Sequence, residues 1–144
     1  MHRKILSAFC TTCATAAFTE PELESSGLVK RSAKGNLYDI FRHRVMVPII
    51  DVRGNIIAFG GRVMDDSKPK YINSPETMVY HKSRTLFALN VAKKSTSKRY
   101  ILCEGYMDVI SMHEAGFDTA VCACRHGFDA GAGQAAERNT PDEV

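Results

Sequence analysis

Glu104 and Asp108 are the residues of this sequence whose types and spacing best suit chemistry. The apolar run 100–103 stops at Glu104, Gly105 follows, and a helix-like pattern then carries Asp108. In a parallel sheet, ligands gather where strands end, so both carboxylates are expected to face one opening. Two hard oxygen ligands suit Mg²⁺ or Mn²⁺. The alternative is a solvated strand end followed by an acidic residue that merely favours a helix N-terminus.

Composition limits the class of protein that this chain can be. With 144 residues, 44% hydrophobic and 24% charged, it suits one globular unit or two small ones. No apolar stretch approaches the roughly 20 residues that span a membrane, so we expect no membrane partner and a cytoplasmic location. Five cysteines in odd number fit a reducing compartment. The C-T-T-C at 10–13 has no second C-x-x-C to complete a zinc site.

Positive charge is concentrated in one segment. The net charge of the chain is only +3, but residues 62–100 contain nine Lys/Arg against three Asp/Glu. Tyr71, Tyr80 and Phe87 are interleaved with these cations, a pattern that suits binding to phosphates. A solvated basic face is the alternative.

Capping and turn signals predict the elements of the first half. Thr19, Pro21 and Glu22 form a helix start with a capping box, and Gly27 ends that helix. Residues 45–64 predict an antiparallel hairpin that turns at Gly54-Asn55.

The second half predicts a βαβ unit. Residues 83–94 have the pattern of a short helix, and residues 96–104 that of a strand. A helix closed by Gly116 and the strand D-T-A-V-C-A follow. This order predicts a parallel pair joined by a crossover helix.

Longer motifs point to a family. Residues 103–116 read C-E-G-Y-M-D-V-I-S-M-H-E-A-G. This segment resembles the first motif of the Toprim domain, in the form found in bacterial replicative DNA primases of the DnaG type. F-G-G-R-V, P-K-Y-I-N-S-P-E-T and H-K-S-R-T-L-F-A-L resemble the basic subdomain of the same enzymes. The resemblance covers residues 19–121. It implies an enzyme core that makes RNA primers, with a groove for single-stranded template between a basic subdomain and a Toprim fold.

The implied architecture is α+β passing into α/β. Residues 19–96 are expected to form the basic subdomain, which contains the antiparallel hairpin, and residues 97–144 a truncated Toprim βαβ unit. Residues 1–18 are atypical of the family. A primase also has a zinc-binding domain and a helicase-binding domain, which we do not find here, so we expect a fragment of a primosome enzyme that is inactive alone.

Site residues follow from the matched motifs. Glu104 matches the catalytic carboxylate and Asp108 its partner in arranging the metal. Arg62, Lys70 and Lys82 match cations that face template or nucleotide phosphates. Three further residues share these motifs and are expected to bind nucleic acid or nucleotide, with less defined roles: Asn73, Arg42 and Arg44. For Arg42 and Arg44 a surface ion pair is the alternative.

The resemblance also implies partners and cofactors. Mg²⁺ or Mn²⁺ would serve nucleotidyl transfer between ribonucleoside triphosphates on single-stranded DNA. The second acidic motif of the family, an Asp-x-Asp, is absent, so the metal site is incomplete. Zinc and the replicative helicase are expected only for the full-length protein. Ser83 and Ala88 stand where the family usually has glycine, which puts the fine geometry of their loop in question.

Two segments depart from the family pattern. Residues 8–18 and 122–137 can each be back-translated so that a shifted frame gives a family-like helix, which predicts frame errors or a decayed gene. Residues 125–137 carry no helical or strand period.

Two other functions stay open. One is a non-catalytic single-stranded nucleic-acid-binding remnant, and the other is a different Toprim enzyme, a topoisomerase or nuclease. Residues 60–77 argue against the latter, because Toprim alone does not predict them.

Overall fold

The computed structural model describes residue 13, residues 16–97 and residues 99–124. Within them the helices are α1 (Glu20–Ser25), α2 (Leu89–Ala92) and α3 (Tyr106–Glu114). The strands are β1 (Val29–Arg31), β2 (Leu37–Asp39), β3 (Arg44–Ile50), β4 (Ile56–Val63), β5 (Tyr71–Asn73), β6 (Leu86–Phe87), β7 (Ile101–Cys103) and β8 (Ala120–Ala123). No helix in this part of the chain is long and apolar enough to cross a membrane.

The chain divides into two compact units. Unit 1 contains residues up to Met46 together with Gly60–Thr77, and unit 2 contains Val47–Phe59 and the residues from Met78 onward. The strands β3 and β4 each pass from one unit to the other. The family boundary at residues 96/97 is a different kind of division and stays a prediction.

Helix α1 of unit 1 begins as the sequence predicts. Thr19 is its N-cap, and both the backbone N–H and the hydroxyl of Thr19 donate to Glu22 Oε2 at 2.7 Å. Gly27 follows the helix with φ +69°. A Cβ on Gly27 would lie 2.9 Å from Pro75 Cγ, so this glycine answers both a backbone and a packing requirement.

A two-stranded antiparallel hairpin packs against α1. β1 pairs with β2 in the register Val29↔Asp39. Leu23, Val29 and Leu37 form a small core beneath it. Arg31 ties the hairpin to the helix through Glu20 and Glu24, at 3.0 and 2.9 Å.

The predicted 45–64 hairpin is confirmed as β3 and β4. The two strands are neighbours in the sheet order β3-β4-β5, and five residues join them, a connection that only an antiparallel pair can use. The Asp51 carboxylate accepts from the N–H groups of Arg53 and Asn55 at 2.9 and 2.8 Å and fixes the turn. Pro48 lies in β3, an edge strand that can lack a donor.

The predicted βαβ unit is confirmed in unit 2. β7 and β8 are parallel, with Ile101 opposite Ala120 and Cys103 opposite Cys122, and α3 connects them. Gly116 follows the helix with φ +91°.

The central strand β8 is covered on both faces. Ala120, Cys122 and Cys124 face a core shared with Tyr106 and Val109, both on α3. Val121, on the other face, packs with three residues around α2: Leu86, Leu89 and Ala92. This double burial explains the continuous apolar run of the strand.

The expectation for residues 83–94 was partly wrong. Leu86–Phe87 form strand β6, which pairs antiparallel with β8, and the helix α2 is limited to Leu89–Ala92. Pairing with β8 satisfies the backbone of Leu86 and buries its side chain, which overrides a local helical pattern. The strands β1 and β2 were not predicted.

Several expectations concern residues outside the described part. These are Cys10 of the C-x-x-C pair, most of the proposed frame-shifted segment 8–18, and residues 125–137.

Candidate active site

The two predicted carboxylates lie at the carboxyl end of a parallel strand. β7 ends at Cys103, Glu104 follows directly, and Asp108 occupies the first turn of α3. Both side chains are exposed. The parallel topology therefore places both carboxylates where α/β proteins bind ligands. The helix α3 begins at Tyr106, two residues after Glu104.

The Asp108 carboxylate contributes to the pKa of a thiol on each of the two parallel strands. Burial raises the pKa of the Cys103 thiol, and the Asp108 carboxylate raises it further. The pKa of Cys122 is also raised, first by burial, then by Cys124 and Cys103, and then by Asp108. Cys103 and Cys122 are register partners on β7 and β8. These contributions agree with the position of Asp108 in the first turn of α3, shortly after β7 ends.

Neither backbone conformation nor space requires glycine at position 105. Its φ of −148° is extended and open to any residue. A Cβ at this position would lie 3.5 Å from Asp108 Oδ2, an ordinary contact. The turn from β7 into α3 therefore does not depend on this glycine.

Lys82 is the predicted cation of unit 2. Burial raises the pKa of Cys124, the residue after β8, and hydrogen bonds with Tyr80 and Tyr106 and then the charge of Lys82 lower it in part. Lys82 stands in a turn closed by bonds to the His81 carbonyl, from Arg84 N–H at 3.0 Å and from the Thr85 hydroxyl at 2.7 Å. Lys82 and Asp108 therefore both contribute to the electrostatics of the cysteines at the carboxyl end of β8.

Large aromatic side chains form part of the hydrophobic core of unit 2. Tyr80 is fully buried and Tyr106 is nearly so. The Tyr106 ring meets Phe87 edge to face, with centroids 4.8 Å apart. Burial raises the pKa of the Tyr106 hydroxyl, with a further contribution from Cys124. Tyr80 and Tyr106 therefore support the site by packing.

Ala88 has a backbone that favours glycine, and Ser83 does not. Ala88 has φ +65°, in the left-handed region, directly before α2. Among the described residues, positive φ outside glycine occurs at Ala17, His43 and Ala88. Of the two departures from the family pattern, only Ala88 therefore costs backbone strain.

The predicted cations of unit 1 lie around the end of β4 and β5. Arg62 is opposite Tyr71 in the strand pair, and its guanidinium carbon lies 5.5 Å from the Tyr71 ring centroid. Lys70 precedes β5 and is exposed, and Asn73 is half-buried opposite Gly60. Arg62 is exposed as well and is oriented by the ring, in a cation–π geometry.

Arg44 has its donors committed to the backbone. Its guanidinium donates to the carbonyls of Pro69 at 2.8 Å, Lys70 at 3.2 Å and Gly61 at 3.3 Å. Gly61 is also where Phe41 packs, 2.7 Å from the position that a Cβ would take. Arg44 thus fixes the strand ends that carry Arg62 and Lys70, a role that its sequence context did not suggest.

Arg42 is exposed and has an aromatic neighbour in unit 1. Its guanidinium carbon lies 5.2 Å from the centroid of the Tyr38 ring. Tyr38 was not singled out from the sequence, although an aromatic residue four positions from an arginine is a recognisable signal. Neither Arg42 nor Arg44 forms an ion pair within the described residues.

The site residues fall into two groups. Unit 2 contains Glu104, Asp108 and Lys82. Unit 1 contains the other five predicted residues: Arg42, Arg44, Arg62, Lys70 and Asn73. Within the described part of the chain, no group of three or more His, Cys, Asp or Glu side chains suits a metal ion.

Comparisons with known proteins agree on one family. A family model described as the DNA primase catalytic core, N-terminal domain, matches residues 3–93. The chain is similar to a DNA primase of Synechocystis sp., 51% identical over 104 residues that cover 70% of this chain and 16% of the relative.

Solved structures give the same result. The fold is similar to a DNA primase domain from Pseudomonas aeruginosa with a TM-score of 0.78 and 40% identity, covering 86% of this chain and 40% of that one. It is also similar to a DnaG primase catalytic domain bound to ssDNA, with a TM-score of 0.77 and 38% identity, covering 86% of this chain and 41% of the other. The chain therefore spans a minor part of the proteins that it matches.

Proposed function

The chain belongs to the family of the DNA primase catalytic core, N-terminal domain, and from that premise we propose that it contributes part of the machinery that joins ribonucleotides into primers. The observation that carries this proposal is the position of Glu104 and Asp108, exposed at the carboxyl end of the parallel pair β7–β8. Nucleotidyl transfer needs hard oxygen ligands at such an opening, because charge develops on phosphate oxygens during the reaction.

The two carboxylates fit a divalent cation by their chemistry. They are exposed carboxyl side chains four residues apart in the sequence, and Mg²⁺ or Mn²⁺ usually takes one or two carboxylates and completes its shell with water and phosphate. When bound, such an ion would lower the barrier to attack by a primer 3′-hydroxyl on a nucleotide phosphate. We therefore assign Glu104 and Asp108 to metal binding.

The cations supply binding rather than chemistry. Arg62 and Lys70 are exposed on the β4–β5 segment of unit 1, and Lys82 of unit 2 stands in the turn before β6. Phosphate contacts from such side chains are independent of sequence and depend strongly on salt. We propose that these cations bind single-stranded DNA template and ribonucleoside triphosphates, and that Asn73 and Arg42 add to the binding residues of unit 1.

Family membership sets the remaining proposals. A bacterial primase acts on the replicating chromosome, so we place this chain in the cytoplasm, where the whole enzyme would meet the replicative helicase. The assignments of partner and location rest on the relatives, which are DNA primases.

A hybrid protein tests this function. Residues 19–121 would replace the equivalent segment of the Pseudomonas aeruginosa primase domain, and primer synthesis on single-stranded DNA would be measured with Mg²⁺ and with Mn²⁺. We expect synthesis that depends on the metal. The 144-residue chain alone should bind single-stranded DNA weakly and make no primers.

A second function is a non-catalytic nucleic-acid-binding module. Among the described residues, no group of three or more His, Cys, Asp or Glu side chains could hold a metal ion. A hybrid that folds and binds single-stranded DNA but makes no primers would favour this module over the enzyme.

A further inference from the structure

A cationic cavity lies in unit 1, apart from the β4–β5 cations Arg62 and Lys70. Its volume is about 480 Å³, within the range of small-molecule sites. Four cations, Lys30, Arg42, Arg44 and Lys68, line it together with a single carboxylate, Asp65. The excess of positive charge suits an anion that carries more than one negative charge.

Two of these cations are held next to each other by the β1–β2 hairpin. Lys30 is opposite Tyr38 in the strand register, and Arg42 lies over the Tyr38 ring at 5.2 Å. The ring restricts where the guanidinium can point, so less freedom is lost when Arg42 binds a ligand.

Three of the four cations can donate hydrogen bonds to a ligand. Arg44 uses its donors on backbone carbonyls, although its charge remains. Within the described part of the chain, no carboxylate pairs with Lys30, Arg42 or Lys68. The carboxylate Asp65 accepts instead from Ser67 N–H at 3.0 Å, and its pKa is lowered mainly by Ser67 with a smaller contribution from His43.

Apolar side chains also line the cavity. Ile40, Val63, Pro69 and Ile72 contribute side chains beside the cations. A phosphate group alone would leave this surface without a partner, whereas a nucleoside would place its base against it. A cavity lined by both cations and apolar side chains therefore suits a nucleotide.

We propose that this cavity binds a nucleotide by its terminal phosphate monoester, through Lys30, Arg42 and Lys68. A terminal monoester carries nearly two negative charges, whereas a phosphodiester within a strand carries one, and so the monoester gains more from three cations. The proposal rests on the proposed function only for the ligand being a nucleotide. The ligand is either a free nucleotide or the phosphorylated end of a strand.

The test compares thymidine oligonucleotides on the 144-residue chain by fluorescence anisotropy. A 5′-phosphorylated hexamer and a 5′-hydroxyl octamer carry nearly the same total charge, so a non-specific basic surface should not prefer the hexamer. We expect the phosphorylated hexamer to bind about tenfold more tightly, the size of one or two charge-assisted hydrogen bonds. Equal affinities would overturn the proposal. If neither oligonucleotide binds, the proposed function fails together with it.

Substitutions locate the effect. The double variant Lys30→Gln, Lys68→Gln should remove the preference for the phosphorylated hexamer. Lys34→Gln, an exposed lysine in the β1–β2 turn that does not line the cavity, should retain it. If the double variant has a lowered thermal midpoint, Lys68→Gln alone, an exposed residue between β4 and β5, should still reduce the preference. Retention of the full preference in both variants would overturn the assignment to this cavity.

Competition identifies the source of the phosphate. Thymidine 5′-monophosphate that displaces the hexamer, while thymidine does not, would support a free nucleotide as ligand. A retained preference without displacement would support the end of a strand. Displacement by thymidine and by the monophosphate alike would contradict recognition of the phosphate.

Discussion

The charged residues of the two units are placed by different means. In unit 2, Glu104 and Asp108 are positioned by the strand and helix that carry them, within a few residues of chain. In unit 1, Arg44 is positioned by carbonyls that lie 17 to 26 residues away in sequence. The first arrangement is a property of local topology, and the second exists only once the unit has folded.

The residues proposed for chemistry and those proposed for binding should therefore respond differently to substitution. The unit 2 carboxylates need no side-chain partner to stand at the strand end, so replacing one should leave the fold intact. The unit 1 arginines contribute to the fold and to charge at once, so their replacement should affect stability as well as affinity. The predictions below, in order of decreasing effect, test this separation.

The largest expected effect is on catalysis. In the hybrid described above, Glu104→Gln should reduce primer synthesis by at least about 100-fold, because the lost charge acts in the transition state. Affinity for single-stranded DNA should change by less than about twofold, since ground-state binding rests on the cations. Rates and anisotropy titrations measure the two quantities.

Glu114→Gln is the matched control for Glu104→Gln. Glu114 is an exposed glutamate at the end of α3 and should be neutral in both assays. If Glu104→Gln retained activity within a few-fold, the assignment of this carboxylate to metal binding would be wrong. Asp108→Asn should raise the Mg²⁺ or Mn²⁺ concentration needed for activity.

The next effect concerns two glycines with similar backbones and different surroundings. Gly27 in unit 1 has φ +69°, and a methyl group added there would lie 2.9 Å from Pro75 Cγ, whereas Gly54 in unit 2 has φ +94° and open space around that position. Gly54→Ala should cost about 1–2 kcal/mol of backbone strain. Gly27→Ala should cost about 2–4 kcal/mol, because overpacking is added.

Urea unfolding of the 144-residue variants measures the free-energy difference between Gly27→Ala and Gly54→Ala. Equal costs would mean that the segment around Pro75 moves aside, and that long-range packing does not fix unit 1 at this point.

Sequence alone predicted much of unit 2 and less of unit 1. The capping box at Thr19, the turn at Gly54-Asn55 and the βαβ unit were predictable because each depends on neighbouring residues. Strand β6 was not, because Leu86 and Phe87 become a strand only by pairing with β8, more than thirty residues later. The donors of Arg44 and the ring beneath Arg42 likewise depend on contacts made during folding.

A third prediction concerns Arg44 itself. Arg44→Ala removes a charged donor from three carbonyls. The change should lower the free energy of unfolding by only about 1–2 kcal/mol, because two of the three lost hydrogen bonds are exposed to solvent. Arg44→Lys should recover only part, since an ammonium cannot reproduce the planar fork. Arg42→Lys, the matched change beside it, should cost about 0.5–1 kcal/mol through the Tyr38 ring.

Urea unfolding separates these three variants. If Arg44→Ala were as stable as the parent chain but lost affinity for single-stranded DNA, Arg44 would be a binding residue, as its sequence context predicted.

The fourth prediction measures phosphate contacts. Replacing Lys70 and Lys82 together by Ala should flatten the slope of log affinity against log salt for single-stranded DNA by about 1.4, roughly 0.7 for each lost contact. Lys93 and Lys94, exposed after α2, provide the matched double substitution and should leave the slope unchanged. A slope unaltered by the Lys70 and Lys82 changes would place those lysines in solvent.

The smallest effect tests an anion that is fixed locally. The pKa of Asp51 is lowered, first by Asn55 and then by Arg53 and Gly54, whose groups hydrogen-bond to the carboxylate in the hairpin turn. A carboxylate whose pKa is lower in the folded chain than in the unfolded chain stabilises the fold. This contribution is fully present at pH values above the unfolded pKa, which is about 3.9. That contribution is lost as the pH falls through the lower, folded pKa. In Asp51→Asn, stability should therefore fall less steeply below about pH 4 than in the parent chain.

Thermal midpoints between about pH 2 and pH 6 measure this difference in acid sensitivity. Asp66→Asn, which changes an exposed aspartate of unit 1, is the control. Parallel acid limbs for Asp51→Asn and the parent would show that the turn bonds persist when Asp51 is protonated, and that the local placement of this charge adds nothing to stability.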